Sequence, residues 1–278
     1  MRRSSAISPI AAAGLALAAA LPSHADAPRR VVSMNLCTDQ LAMMLADEGQ
    51  LVSVSAIARD PLSSVMHEEA AAYPENHGGA EEIYLLRPDL VLAGIWSDPA
   101  TVSMLRGLGI EVAQLDVADT LEDIPDRVAE MGALLGREDA AQTLIRRFET
   151  DLAALAGAPG GPRAAFYYPN GYTLGTGSLG HEILTHAGFT HIVDELGRDA
   201  SGRVALELLV VAAPDLVIGA TQYPGASRSE EILRHPALRT LVSAAHGTTS
   251  GPEWVCGTPH VLRALAGLAG TRAAMEAN

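Results

Sequence analysis

The sequence predicts an α/β protein made of two Rossmann-like lobes joined by a single long α-helix, with a ligand cleft between the lobes. Three observations support this fold class. Strand and helix patterns alternate in both halves, which is typical of mainly parallel sheets. One phrase occurs twice, as EEIYLLRPDLVLAG at 81–94 and as ELLVVAAPDLVIGA at 207–220. Between the copies, residues 121–156 show helical periodicity and almost no strand pattern.

The repeated phrase indicates that the two lobes resemble each other. In each copy a glutamate, Glu81 or Glu207, stands seven residues before a proline, Pro88 or Pro214, and Pro-Asp-Leu-Val then continues the chain. This order predicts a helix, a turn at the proline and a buried strand. Two such units in one chain predict two lobes, and the space between them is the expected place for a ligand.

The first half alternates apolar strands with capped helices. Asn35 offers N-cap chemistry for the helix that follows the first strand. The stretch 59–79 is rich in Ser, Pro, Asn and Gly, so we expect a loop there. Strands are predicted at 30–34, 51–55, 90–93 and 110–115, and a helix at 99–107.

A long amphipathic helix is predicted between the halves. Gly136 separates it from the preceding helix, and the Gly- and Pro-rich stretch 157–162 ends it. Its apolar stripe recurs at steps of three and four residues, through Ala141, Leu144, Ile145, Phe148, Leu152 and Leu155. In the second half, strands are predicted at 163–168 and 247–250, and helices at 179–187, 229–234, 237–245 and from about 260.

The first 25 residues have the pattern of a signal peptide. Arg2 and Arg3 precede an apolar run at 10–21, and small residues flank His24 before the expected cleavage after Ala25. The run is shorter than the ~20 residues of a membrane span. We therefore expect Sec-dependent export to the periplasm. The predicted organisation is a signal peptide at 1–25, an N-terminal lobe at 26–135, an interlobe helix at 136–158 and a C-terminal lobe at 159–278.

Composition limits the partners that the mature protein can have. The chain is 48% hydrophobic, which is typical of a globular protein, and its formal net charge is −14. Nucleic acids and anionic membranes both attract positive surfaces, so neither is expected as a partner. We expect a monomer.

Several segments in order resemble one protein family. The residues RVVSMNLCTDQLAMMLAD, HGGAEEIYLLRPDLVLAG and VALELLVVAAPDLVIGA, together with the long helix at 138–156, are similar to the periplasmic substrate-binding proteins of iron-siderophore and vitamin B12 ABC importers. The resemblance covers 29–272. It implies a receptor without enzymatic activity or cofactor that delivers a chelated metal, either a ferric siderophore or a corrinoid, to a transmembrane permease and its cytoplasmic ATPase.

The resemblance also assigns a role to the repeated glutamates. In that family a glutamate on each lobe docks onto arginines of the permease, and it precedes the Pro-Asp pair by the same seven residues. Glu81 and Glu207 are the matching positions. The alternative is that both only begin a helix, where a carboxylate favours the helix dipole.

Ligands of the family lie between the lobes, against loops that follow strands. Aromatic residues make up only 4% of this chain, yet several fall in such loops. They suit a large flat chelate, with a few polar groups to set its orientation. The ligand-binding candidates are Asn35, Cys37, Asp39, His77, Trp96, Tyr168, Asn170, Tyr172, Tyr223, Trp254, Cys256 and His260.

Cys37 and Cys256 leave three interpretations open. They lie in loops that the family turns toward the cleft, one from each lobe. In the first interpretation they form a disulfide across or beside the cleft. In the second they contact a ligand or soft metal as thiols, and in the third they are small buried residues without a special role.

Two alternative functions would require other residues. A direct zinc or manganese receptor of the same architecture would need His77, His181 and His260 to converge, but no HxxxH pair occurs. A secreted oxidoreductase or hydrolase would use GTGSLG at 175–180 or Ser178. However, the glycines do not directly follow a strand, and Thr176 breaks the GxSxG pattern. We expect no catalytic residues and no metal ligands.

Overall fold

The computed structural model describes residues 27–197, 201–221, 225 and 227–277. Within these residues the chain forms two parallel sheets, one in each half, and the predicted signal peptide at 1–25 lies outside them. The mixed α/β class and the two-lobe arrangement that the sequence predicts are confirmed. None of the described helices is long and apolar enough to cross a membrane.

The N-terminal lobe is built on a parallel sheet with the strand order β3-β2-β1-β4-β5. Its first, second and fourth strands carry mostly buried side chains, as expected for strands covered on both faces. The strands are β1 (Val31–Ser33), β2 (Leu51–Ser55), β3 (Glu75–Asn76), β4 (Leu90–Gly94) and β5 (Glu111–Leu115). Its helices are α1 (Leu36–Leu45), α2 (His67–Ala70), α3 (Ala80–Leu85), α4 (Pro99–Gly107) and α5 (Asp123–Leu135), and α6 (Glu138–Ala154) then leads to the second lobe.

The C-terminal lobe is built on a parallel sheet with the order β11-β10-β6-β8, and β7 and β9 form a separate antiparallel pair. The strands are β6 (Arg163–Phe166), β7 (Tyr172–Thr173), β8 (Thr190–His191), β9 (Gly202–Arg203), β10 (Leu216–Ala220) and β11 (His246–Ser250). The helices are α7 (Leu179–His186), α8 (Ile192–Glu195), α9 (Leu206–Ala212), α10 (Pro236–Ala244) and α11 (Val261–Glu276), with 3₁₀ turns at Arg228–Arg234 and Pro252–Trp254.

Several parts of the fold differ from the expected elements. The stretch 59–79, predicted as a loop, contains α2 and β3. The strand β3 has only two residues, paired with Val54 and Ser55, and is too short to show a pattern in the sequence. The predicted strand 163–168 ends at Phe166, and the predicted helix 229–234 is a 3₁₀ turn.

The repeated phrase forms the same structure in both lobes. Asp89 accepts hydrogen bonds from the backbone N–H groups that precede β1, and Asp215 accepts one from Arg163 at the start of β6. In return, Arg30 donates to the carbonyls of the two residues after α3, and Arg163 donates to the carbonyls of the last residue of α9 and of the residue after it. We call each Arg–Asp pair a clasp. Each clasp joins the first strand of its lobe to the turn that follows the repeat helix.

The lobes are joined by α6 and by a shared core. Gly136 ends α5 with φ 66°, a left-handed conformation that glycine adopts without strain, and α6 begins two residues later. Ile145 and Phe148 of α6 belong to one hydrophobic cluster with Leu135 of the first lobe and Leu184 of the second. The two sheets are therefore packed on one continuous core.

Candidate functional site

A cavity of about 480 Å³ lies between the lobes. The carboxyl ends of β1, β4 and β5 supply its first wall, and loops of the second lobe supply the opposite wall. This is where ligands bind in parallel α/β sheets. It is lined by Asn35, Cys37, Thr38, Leu41, Gly94, Ile95, Trp96, Leu115, Asp116, Val117, Ala118, Asp119, Arg127, Leu174, Ser178, Leu179, Gly180, Trp254, Val255 and Gly257.

The two tryptophans of the chain both line this cavity, one from each lobe. Trp96 follows β4 and is 80% exposed. Trp254 follows β11 and packs edge-on against Phe166, with ring centroids 5.7 Å apart. The cavity therefore has one fixed and one free aromatic wall.

Asn35 shapes the first wall from the start of α1. Its side chain accepts hydrogen bonds from the N–H groups of Cys37, at 3.0 Å, and Thr38. Gly94 leaves room for it, since a Cβ at that position would lie 3.1 Å from the Asn35 amide nitrogen. Asn35 is thus held mainly as a cap, although it faces the cavity.

Cys37 and Cys256 form a disulfide, with their Cα atoms 5.3 Å apart and 219 residues apart in sequence. Cys37 belongs to α1 of the first lobe, and Cys256 follows β11 of the second. Of the three interpretations left open, the structure shows the first, so neither sulfur is a free thiol for a metal. The bond ties the lobes together at the edge of the cavity.

Close packing accompanies this bond. The Thr258 hydroxyl donates a buried hydrogen bond of 3.2 Å to the Gln40 side-chain oxygen of the other lobe. Gly257 lies against Ala118, and a Cβ on Gly257 would come within 2.8 Å of the Ala118 carbonyl oxygen. The segment 256–258 is therefore fitted to the first lobe at three consecutive residues.

The charged side chains that line the cavity all come from the first lobe. Asp116 and Asp119 follow β5, and Arg127 lies on α5 and pairs with Glu130 at 2.8 Å. The Arg127 Nε atom is buried and has no hydrogen-bond partner. The sequence analysis did not select these residues. The strand-end rule that selected Trp96 applies equally to Asp116 and Asp119, which follow β5. No loop pattern, however, points to a helical residue such as Arg127.

Of the predicted ligand residues, the structure brings Asn35, Cys37, Trp96 and Trp254 together around the cavity, with Cys256 directly beside it through the disulfide. It does not bring Asp39 there. Asp39 is fully buried in α1, where it accepts hydrogen bonds from the hydroxyl and N–H of Ser55. Burial raises its pKa to about 6, although hydrogen bonds from Ser33 and Ser55 oppose the shift.

The remaining candidates among the described residues also lie outside the lining. His77 is exposed and pairs with Glu82, while Asn170 and Tyr172 occupy an exposed turn in which Asn170 has φ 60°. Tyr168 donates to the Ser250 hydroxyl and packs on the core, and burial raises its pKa to about 12. His260 precedes α11, and burial lowers its pKa. Tyr223 lies outside the described residues.

The histidines weighed for a metal site do not converge. His181 pairs with Asp194 at 3.1 Å and lies 5.7 Å from the buried ring of His191, whose pKa burial lowers to about 3. Among the described residues, no group of three or more His, Cys, Asp or Glu side chains is arranged to hold a metal ion. Ser178, in turn, caps α7 by accepting from the His181 N–H.

Glu81 and Glu207 occupy matching surface positions. Each is exposed in the first turn of its repeat helix, α3 or α9. Helices of parallel sheets begin near the carboxyl ends of the strands, which is the cleft side of both lobes here. Both glutamates are therefore available to a partner that approaches from the cleft side.

Comparison with known proteins agrees with this geometry. Residues 31–248 match the periplasmic binding protein family, and the chain belongs to that family. A curated cobalamin-binding protein of Halobacterium salinarum strain R1 is 27% identical over 197 residues, which are 69% of this chain and 53% of that protein. The chain thus spans about half the length of the curated relatives it matches.

Solved structures share the fold. The periplasmic heme-binding protein of Vibrio cholerae superposes with a TM-score of 0.72 at 18% identity, over 87% of this chain and 98% of that chain. The vitamin B12 binding protein of the same organism superposes with a TM-score of 0.66 at 19% identity, over 90% and 99%. At these sequence identities the superpositions show a shared fold and do not identify the ligand.

Proposed function

We propose that this chain is the periplasmic receptor of an ABC importer, exported by a signal peptide at 1–25, and that its ligand is a corrinoid such as cobalamin. It has no catalytic role and no cofactor of its own; the chelated metal is its cargo. The observation that carries the proposal is the cleft between two covalently tied lobes, with one tryptophan on each side.

The lining favours a chelate whose metal is already fully coordinated. Among the described lining residues there is no imidazole, phenol, thioether or free thiol to complete the coordination of a metal such as haem iron. The two aspartates alone are too few to enclose a bare transition-metal ion. A corrinoid can carry its own axial ligands, so it needs shape and hydrogen bonds from the protein rather than a metal bond.

The polar groups of the lining also suit a corrinoid. Peripheral amides of a corrin donate hydrogen bonds, which Asp116 and Asp119 can accept. A corrinoid nucleotide carries one phosphodiester, which suits the guanidinium group of Arg127 in the lining. Haem propionates and acidic siderophores would instead bring several negative charges toward the two aspartates.

The ligand is tested by calorimetric titration of the purified, oxidised chain with cyanocobalamin, haem and a ferric hydroxamate. We expect cyanocobalamin to bind most tightly. Trp96→Ala should weaken it at least about tenfold, or about 1.4 kcal/mol, while Trp96→Phe should retain most of the affinity. If haem bound more tightly than cyanocobalamin, and Tyr223→Phe abolished that binding, the ligand would be haem and not a corrinoid.

Delivery is proposed to occur through Glu81 and Glu207 docking on the permease, one contact on each lobe. In cells that depend on this chain for cobalamin, the double variant E81R/E207R should abolish uptake while cyanocobalamin affinity stays unchanged. The matched control is E149R/E231R, which reverses two exposed glutamates elsewhere. Normal uptake by the first variant would rule out the docking role.

A further inference from the structure

The repeat helices carry apolar side chains on their solvent face. Across the described residues, the three most exposed large hydrophobic side chains are Val211 at 83%, Trp96 at 80% and Leu85 at 77%. Trp96 faces the cleft. Leu85 and Val211 lie at the same position of the two copies of the repeated phrase, four residues after Glu81 and Glu207.

These positions are not scattered surface residues. In each helix the buried side chain, Ile83 or Leu209, packs on the sheet. A residue two positions after a buried one lies on the opposite face of the helix. In an amphipathic helix that face carries polar side chains. Here the solvent face is apolar in both lobes, since Tyr84 and Val210 are exposed as well. Two adjacent exposed valines are also poor helix formers, so local stability does not explain them.

The backbone places each apolar side chain in the same relation to its glutamate. Residues four apart lie on one face of a helix, about 6 Å along the axis. The two helices end alike, because Arg87 and Ala213 share a left-handed conformation, with φ of 50° and 44°. Each lobe thus presents one carboxylate and, one turn farther from the cleft, one large aliphatic side chain.

We propose that Leu85 and Val211, with Tyr84 and Val210, form the apolar half of a twofold docking surface for two equivalent subunits of an integral membrane permease. Each subunit would offer a basic side chain to the glutamate and an apolar socket one helical turn away. The partner follows from charge complementarity, since the glutamates require a basic surface, and from the duplication, which requires two equivalent faces. The identity of the partner as a permease rests on the proposed function.

The proposal is tested by site-specific photo-crosslinking of the full chain in its native cells. A photoreactive phenylalanine at position 85 or 211 should attach to the same integral membrane subunit, identified by mass spectrometry. Positions 104 and 108, which carry an exposed Met on α4 and an exposed Leu directly after that helix, are the matched controls and should give no such adduct. An adduct with a second copy of the chain, equal adducts at the controls or no adduct at 85 and 211 would overturn the proposal.

A second measurement separates this surface from the ligand and from the glutamates. The variant L85S/V211T should lower cobalamin uptake at limiting receptor at least about fivefold, while cyanocobalamin affinity and the thermal midpoint stay within error. The control L108S/M104S should leave uptake unchanged. Crosslinking does not depend on the ligand. If the native chain did not bind cyanocobalamin, the corrinoid proposal would be rejected and the docking surface could still be tested. Unchanged uptake in L85S/V211T would reject the apolar contact even if E81R/E207R fails to transport.

Discussion

The two lobes share their scaffold but not their binding walls. Both copies of the repeat build the same clasp, the same left-handed turn and the same buried strand. The cavity walls differ, because the first lobe supplies every charged side chain of the lining and the second supplies mainly Leu174, Leu179, Trp254 and Val255. The comparison shows that the contacts holding the repeat helix to its sheet are the same in both lobes, whereas the loops at the strand ends, which line the cavity, are not.

The largest effect is expected from cutting the bond that makes the lobes depend on each other. The variant C37S/C256S opens a loop of 219 residues, which should lower the free energy of unfolding by about 2–5 kcal/mol. Guanidinium unfolding followed by tryptophan fluorescence and by circular dichroism checks this. Reduction of the native chain is the control and should give the same shift. An unchanged midpoint would mean that close packing alone holds the lobes.

The clasps should differ in strength although their geometry matches. Arg30 bonds only to backbone carbonyls after α3, whereas Arg163 also pairs with Glu195. We therefore expect Arg163→Met to cost about 2 kcal/mol and Arg30→Met about 1 kcal/mol. Hydrogen exchange of α9 and α3 measures each loss in its own lobe. Glu195→Gln removes only the ion pair, so it should bring the two clasps to parity. Equal losses for both arginine variants would contradict this ranking.

The lobes should respond to pH in opposite directions. Burial raises the pKa of Asp39 in the first lobe to about 6, so its protonation in the folded state increases stability as the pH falls through 6. Burial lowers the pKa of His191 in the second lobe to about 3, so stability is lost as the pH falls below about 6.5, where unfolded histidine gains a proton. Between pH 7.5 and 5 we expect changes of about 1 and about 2 kcal/mol respectively.

Hydrogen exchange at the two pH values, corrected for intrinsic rates, checks this contrast. Protection should rise around α1 and β2 and fall around β6 and β8. Asp39→Asn should remove only the response around α1 and β2, and His191→Gln should remove only the response around β6 and β8. Parallel changes in both lobes would show that their stabilities are coupled through the shared core.

The smallest effect tests how alike the two turns are. Arg87 and Ala213 both hold positive φ angles, at a cost that glycine does not bear. Arg87→Gly and Ala213→Gly should each stabilise the fold by about 0.5 kcal/mol, since the relief exceeds the entropy that glycine loses. Thermal unfolding measures both. A gain in one variant and a loss in the other would show that the turns are alike in backbone only.

Much of the fold could be predicted because it depends on local patterns. The predicted strand 51–55 and the helix predicted around 99–107 match the bounds of the structure, since the strand alternates apolar and small residues and the helix is capped by Asp98 with Pro99 at its first position. Strands of two residues, such as β3 and β8, were missed because their partners across the sheet hold them, and a short window carries no periodicity.

The site was only partly predictable for a different reason. Strand ends point to loops, and this rule found Asn35, Cys37, Trp96 and Trp254. It cannot tell an exposed loop side chain from one turned inward, so it also selected Asp39 and Tyr168. Arg127 reaches the cavity from a helix, through packing between elements that are distant in sequence.

The disulfide limits how the lobes can move. A pair of bodies joined only by α6 can bend and twist in any direction about that connection. A second covalent link at the cavity edge removes most of these freedoms and leaves, to first approximation, rotation about the line that joins the two links. The cleft can then open only by rotation about that single axis. Its mouth can then widen along one path only, so Glu81 and Glu207 would move along fixed arcs relative to each other.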